Sequence, residues 1–157
     1  MSLEVAKPAP EFSLPDQNGK THSLSDLKGK TTLIYFYPKD ETPGCTTQAC
    51  ALRDNFETLQ AEGIDVIGVS KDDVKSHAKF ASKHELPFTI LADTETTMTN
   101  AYGAWVEKSM YGRKFMGTVR SAALVGPDLT ILVVWPKIAP FKTVSEVQKW
   151  LKENASK

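Results

Sequence analysis

Residues 31–37 read Thr-Thr-Leu-Ile-Tyr-Phe-Tyr, an unbroken apolar, β-branched and aromatic run. A strand with one wet face alternates apolar and polar residues, because successive side chains point to opposite sides. This run does not alternate, so it predicts a strand buried on both faces. Ile64–Val69 (IDVIGV) reads the same way. Between them the sequence predicts a loop over Pro38–Thr42 and a helix from about Pro43 to Ala61, closed by Gly63. Strand, helix and strand in that order, with hairpins toward each end of the chain, point to an α/β domain with a mixed central sheet.

The flanking segments extend the pattern. Phe12–Leu14 and Thr21–Leu24 predict an N-terminal hairpin, with its turn at Asp16-Gln17-Asn18-Gly19. A helical turn follows near Ser25–Leu27. Asp72–His84 predicts a helix, with Val74, Ala78, Phe80 and Ala81 near one face. Phe88–Leu91 predicts a short strand, and residues 94–103 a short helix stopped by Gly103. Thr118–Val125 and Leu129–Trp135 predict a hairpin around Gly126-Pro127-Asp128, and Val144–Leu151 a closing amphipathic helix. No linker, repeat or low-complexity tract divides the chain, so residues 1–157 read as one domain.

Composition narrows the function classes. The 19 basic and 19 acidic residues cancel, which argues against a broad surface for nucleic acid. No apolar run approaches the length of a membrane span, and Met1–Glu11 has no apolar signal core. The expectation is a cytoplasmic protein with no membrane partner. Only two cysteines are present, too few for a disulfide framework or a Cys₄ zinc site. In a reducing compartment, two close cysteines point to thiol chemistry or metal binding before a permanent staple.

Cys45 has the setting of a reactive thiol. Thr42 suits a helix N-cap, and Pro43 suits the first helical position, where no N–H is needed. Gly44 leaves room for a ligand near the backbone. Cys45 then falls in the first turn, near free N–H groups and the positive end of the helix dipole. Both favour the thiolate, which is the nucleophile. Cys50 lies five residues on. On an intact helix that spacing means a rotation of about 140°, a rise of about 7.5 Å and a Cα separation of roughly 8.6 Å. A disulfide needs less than about 7 Å, so the pair bonds only if the first turns unwind. Cys50 also reads as an ordinary mid-helix hydrophobe followed by Ala51 and Leu52, and both readings stay open at this point.

The surrounding residues resemble a known family. Pro38, Thr42 and Cys45 match the Pro-x₃-Thr-x₂-Cys signature of peroxiredoxins. Phe36-Tyr37-Pro38-Lys39 with Thr42-Pro43-Gly44-Cys45-Thr46 is similar to the peroxiredoxin Q branch, also called bacterioferritin comigratory protein. Ser76-His77-x-Lys79-Phe80, Leu86-Pro87-Phe88, Tyr111-Gly112-Arg113 and Met116-Gly117-x-x-Arg120-Ser121 resemble that branch too. The sequence departs at Ala122-Ala123-Leu124-Val125-Gly126, where the branch usually has Thr-Phe-Leu-Ile-Asp.

The resemblance implies a thioredoxin-like fold: a central mixed β-sheet flanked by helices, with an N-terminal β-hairpin. It implies reduction of hydrogen peroxide or organic hydroperoxides, with no metal and no organic cofactor. Cys45 becomes the peroxidatic cysteine, Thr42 a hydrogen-bonding partner of thiolate and peroxide, Pro38 a shield for the sulfenate, and Arg120 the positive charge beside the sulfur. Cys50 becomes the resolving cysteine of the Cys-x₄-Cys subgroup, recycled by thioredoxin or a similar dithiol protein. The branch is often monomeric, so a monomer is the expectation.

Two rival functions are a protein dithiol–disulfide oxidoreductase and a redox-sensing module. The first is disfavoured because thioredoxin-like exchangers use Cys-x-x-Cys, whose disulfide forms without unwinding the helix. His22, His77 and His84 read as surface or packing histidines, with no cysteine near them in sequence.

Overall fold

The computed structural model describes residues 3–154. Residues 1, 2 and 155–157, which belong to the Met1–Glu11 segment and to the ends of the expected domain, lie outside the described residues. The elements are β1 (Ser13–Pro15), β2 (Thr21–Ser23), β3 (Thr31–Phe36), α1 (Pro43–Asp54), α2 (Phe56–Ala61), β4 (Ile64–Ser70) and α3 (Val74–His84). They continue with β5 (Thr89–Ala92), α4 (Thr97–Ala101), β6 (Trp105–Met110), β7 (Arg113–Thr118), β8 (Ser121–Val125), β9 (Ile131–Trp135) and α5 (Thr143–Asn154).

The apolar run at 31–37 forms the centre of a five-stranded sheet of order β5-β4-β3-β8-β9. β3 and β4 are parallel, as are β4 and β5, whereas β3–β8 and β8–β9 are antiparallel. β3 feeds both faces of the sheet. Leu33, Tyr35 and Tyr37 pack with Cys45, Ala49 and Leu52 of α1, Leu59 of α2, Phe80 of α3 and Val147 of α5. Ile34 and Phe36 turn the other way, toward Phe12, Leu24, Leu27, Met98 and Tyr102. The departing residues Ala122 and Ala123 face Tyr35 and Ile34 across the β3–β8 ladder, so small side chains sit opposite large ones.

Two predicted elements break. The helix expected over 43–61 divides at Asn55, which has φ −111° and ψ 8°. Its side-chain amide donates to the Ala51 carbonyl at 2.8 Å, competing with the helical backbone for that acceptor. The strand expected over 118–125 divides at Val119–Arg120, with β7 ending at Thr118 and β8 starting at Ser121. β7 pairs instead with β6, a hairpin closed by Tyr111 (φ 53°) and Gly112 (φ 78°), both left-handed as a tight primed turn requires. No strand is expected over 105–117 because its side chains are largely exposed and carry little apolar periodicity.

Candidate active site

β3 delivers the chain into the 38–42 loop, and a buried polar network fixes that loop. Asp40, 4% exposed, is its hub. The Tyr37 hydroxyl donates to Asp40 Oδ1 at 2.6 Å, and the Ser76 hydroxyl donates to Oδ2 at 2.8 Å. His77 Nδ1 lies 2.7 Å from the same oxygen, and its Nε2–H donates to the Leu91 carbonyl at 2.9 Å. The Asp40 backbone N–H donates to Asp72 Oδ2 at 2.9 Å. His77 is therefore a packing histidine, as expected, and ties α3 to the loop. Asp40, Asp72 and His77 each place a donor atom within 4.8 Å of the others, but these atoms are already engaged with protein partners.

At the start of α1, Thr42 takes the extended N-cap conformation (φ −82°, ψ 151°) and Pro43 follows. The expected capping bond is absent: the Thr42 hydroxyl donates to the Lys39 carbonyl at 2.8 Å. Cys45 lies in the first turn, 1% exposed. Arg120, in the break between β7 and β8, points its guanidinium at it, with Nη2 donating to Cys45 Sγ at 3.4 Å. The space expected beside Gly44 is filled by that side chain. A Cβ at Gly44 would lie 3.1 Å from Arg120 Nη2, so glycine here admits the guanidinium. Pro38 and Arg120 line one cavity of about 520 Å³, together with Lys108, Lys137, Ile138 and Pro140. A cavity of about 560 Å³ beside β1 is lined by neither cysteine nor Arg120.

Gln48 is the site residue that sequence reasoning missed. Fully buried, it accepts from Arg120 Nη1 at 2.7 Å and donates to Thr143 Oγ1 at 2.9 Å. Thr143 in turn donates to the Ala139 carbonyl at 3.1 Å. The signal was available: Cys45, Gln48, Ala49 and Leu52 form one buried helical stripe, and a polar residue in such a stripe needs a partner. Tyr35 adds a dry wall behind the thiol. Its hydroxyl is buried and has no hydrogen-bond partner among the described residues. Burial first, and the nearby Cys45 and Asp40 second, push its phenol up, so it stays neutral. A dry, neutral wall strengthens the attraction between guanidinium and thiolate.

Both cysteines are free, and the helix between them is intact. Cys50 is half-buried, and its sulfur lies 3.9 Å from His84 Nδ1. His84 was expected to be a surface or packing histidine with no cysteine near it in sequence. The fold places it beside one, because the end of α3 packs along α1.

Residues 5–135 match the model of the AhpC/TSA family. The chain belongs to that family. Within it, the relatives are of the peroxiredoxin Q, or bacterioferritin comigratory protein, branch. The chain is 40% identical to peroxiredoxin Bcp of Bacillus subtilis over 157 residues, covering 100% of both. It is 42% identical to peroxiredoxin Bcp of Escherichia coli over 153 residues, covering 98% of each. Among solved structures, peroxiredoxin Q of Xanthomonas campestris matches with a TM-score of 0.89 at 32% identity, covering 98% of this chain and 97% of that one. A Xylella fastidiosa PrxQ mutant matches with a TM-score of 0.91 at 28% identity, covering 99% of both. The fold of this AhpC/TSA member is thus thioredoxin-like, as the signature implied.

Proposed function

We propose that this chain, acting as one thioredoxin-like domain over 1–157, is a thiol peroxidase that reduces hydrogen peroxide and organic hydroperoxides. The observation that carries the reading is the buried Cys45 sulfur at a helix start, with the Arg120 guanidinium 3.4 Å away. The helix start and the guanidinium both favour the thiolate. The thiolate attacks one peroxide oxygen, the O–O bond breaks, and Cys45 becomes a sulfenic acid. Arg120 stabilises the negative charge that develops on the leaving oxygen. Peroxide approaches through the cavity beside Pro38 and Arg120, whose Ile138 and Pro140 walls suit an alkyl chain. A Xanthomonas campestris relative has alkyl peroxide reduction activity, and the present chain is 31% identical to it.

Thr42 turns its hydroxyl from the Lys39 carbonyl to the thiolate and peroxide, and Pro38 shields the sulfenate from water. Cys50 then condenses with the sulfenic acid, and a thioredoxin or similar dithiol protein in a cytoplasmic setting reduces the disulfide. The protein works as a monomer. Mass spectrometry after one equivalent of peroxide tests the cycle. A Cys45–Cys50 disulfide, with loss of two hydrogens, is expected. Cys45→Ser abolishes turnover, and Cys50→Ser permits one oxidation without recycling. Full peroxidase activity in Cys45→Ser would overturn the proposal.

A further inference from the structure

His84 bridges a cysteine and a carboxylate. Its Nδ1 lies 3.9 Å from Cys50 Sγ, within reach of a sulfur hydrogen bond, and its Nε2 lies 3.1 Å from Glu41 Oε1. Ionised, Glu41 only accepts hydrogen bonds, so it selects the tautomer with the proton on Nε2. The Nδ1 lone pair is then left facing the Cys50 S–H. Lys83 first, through its 2.7 Å contact with Glu41 Oε2, and His84 second, hold the Glu41 carboxyl below the usual range. One further contact holds the ring, and another holds the residue's backbone. Phe80 packs edge-on at 5.1 Å between ring centroids, and Arg53 Nη1 donates to the His84 carbonyl at 2.9 Å. His84 is 18% exposed and Glu41 39%, so the pair sits at the protein surface with Cys50 on its inner side.

We infer that His84 is the general base that activates Cys50, oriented by Glu41. This rests on the reading of Cys50 as the resolving cysteine. Once peroxide has oxidised Cys45 to the sulfenic acid, His84 Nδ1 takes the proton from the Cys50 thiol. The thiolate attacks the Cys45 sulfur, the S–S bond forms, and the S–O bond breaks. The departing hydroxide takes up one proton and leaves as water, and His84 returns to its neutral form. No further oxidant or reductant enters. An ordinary thiol is mostly protonated near neutral pH, so a base in place raises the reactive fraction where the enzyme works. The charged and titratable groups around His84 are Glu41 from the loop and Cys50 from α1 on its ring, Arg53 from α1 on its backbone carbonyl, and Lys83 from α3 on Glu41. Asp54 pairs with Arg53 at 2.9 Å, and Glu85 follows His84 in sequence.

The test separates this inference from the reading beneath it. In reduced Cys45→Ser protein, alkylation of Cys50 by iodoacetamide is followed from pH 5 to pH 10, which asks nothing of disulfide formation. With His84 present, alkylation at pH 7 is about tenfold faster than in His84→Gln, whose profile moves to higher pH. Glu41→Gln, at a half-exposed position, shifts the profile in the same direction by less. In protein with both cysteines, His84→Gln slows formation of the Cys45–Cys50 disulfide about tenfold and leaves the rate of Cys45 oxidation unchanged. Identical alkylation profiles with and without His84 would overturn the inference. If the profiles shift but peroxide yields no Cys45–Cys50 disulfide in the unmodified protein, the resolving role of Cys50 falls and His84 activates a thiol with another task.

Discussion

Replacing Gln48 with methionine tests whether the Arg120 guanidinium is positioned or merely present. Methionine keeps length and flexibility but has no comparable hydrogen-bonding groups. Gln48 has no exposed surface, and it holds Arg120 Nη1 at 2.7 Å and Thr143 Oγ1 at 2.9 Å. Losing a hydrogen bond to a charged group costs about 1.5–3 kcal/mol. Thr143 keeps its 3.1 Å bond to the Ala139 carbonyl, so its loss adds only about 0.5–1 kcal/mol. The reduced protein should therefore lose about 2–4 kcal/mol, a fall in Tm of roughly 4–16 °C. If the whole loss at Arg120 reaches the transition state, oxidation of Cys45 slows by roughly 10- to 150-fold. Stopped-flow fluorescence with hydrogen peroxide measures the rate, and thermal denaturation in the presence of reductant measures the stability. Gln48→Glu serves as the comparison: it keeps an acceptor for Nη1, so the stability loss shrinks to that of the lost donor to Thr143, while its added charge competes with the thiolate for the guanidinium and the rate still falls. A Gln48→Met protein that loses stability yet oxidises at the original rate would refute the positioning argument.

Two further outcomes follow from the geometry. Gly68 lies beside Tyr35 in the β3–β4 ladder, and a Cβ there would sit 2.9 Å from the phenol ring carbon and oxygen. Gly68→Ala should therefore cost about 1–3 kcal/mol, and Tyr35→Phe should relieve part of it, read as urea midpoints; equal midpoints would remove the packing argument. In the oxidised protein, amide exchange should accelerate at residues 46–49, whose N–H groups bond back to the first turn of α1, relative to the reduced form while α3 keeps its protection; equal protection at 46–49 would mean that α1 stays wound.

The strand–helix–strand core was legible because its signals are local. An apolar run of the length of β3 cannot be half-solvated, and Pro43 and Gly63 punctuate what lies between the strands. The breaks at Asn55 and Val119–Arg120 were not legible, since each depends on which hydrogen-bond acceptor wins after packing. Cys45 was legible from its helix-start setting, but its partner Arg120 was found only through the family resemblance, because 75 residues of chain separate the two and no periodicity spans them. Gln48 and His84 show the same limit from another side. Each carries a local sign of burial, but its partner comes from another element: Arg120 for one, Cys50 and Glu41 for the other. Gly44 illustrates a right cue with an unforeseen tenant, since the room beside it is taken by the protein's own guanidinium.

The same packing decides which sulfur travels. The far half of α1 is pinned: Ala49 and Leu52 are buried against β3, and Arg53 and Cys50 contact the end of α3. The near end has weaker backbone support. Thr42 makes no capping bond, and Gly44 in the first turn costs roughly 1 kcal/mol of helix propensity against alanine. Cys45 holds that end through burial and through Arg120, alongside the buried Gln48. Oxidation attacks this second hold directly. A thiolate carries the charge that the guanidinium grips, whereas a sulfenic acid can be neutral, so turnover weakens the contact that kept the first turn wound. On the proposed cycle, Cys45 is then the sulfur that moves, and Cys50 stays beside His84.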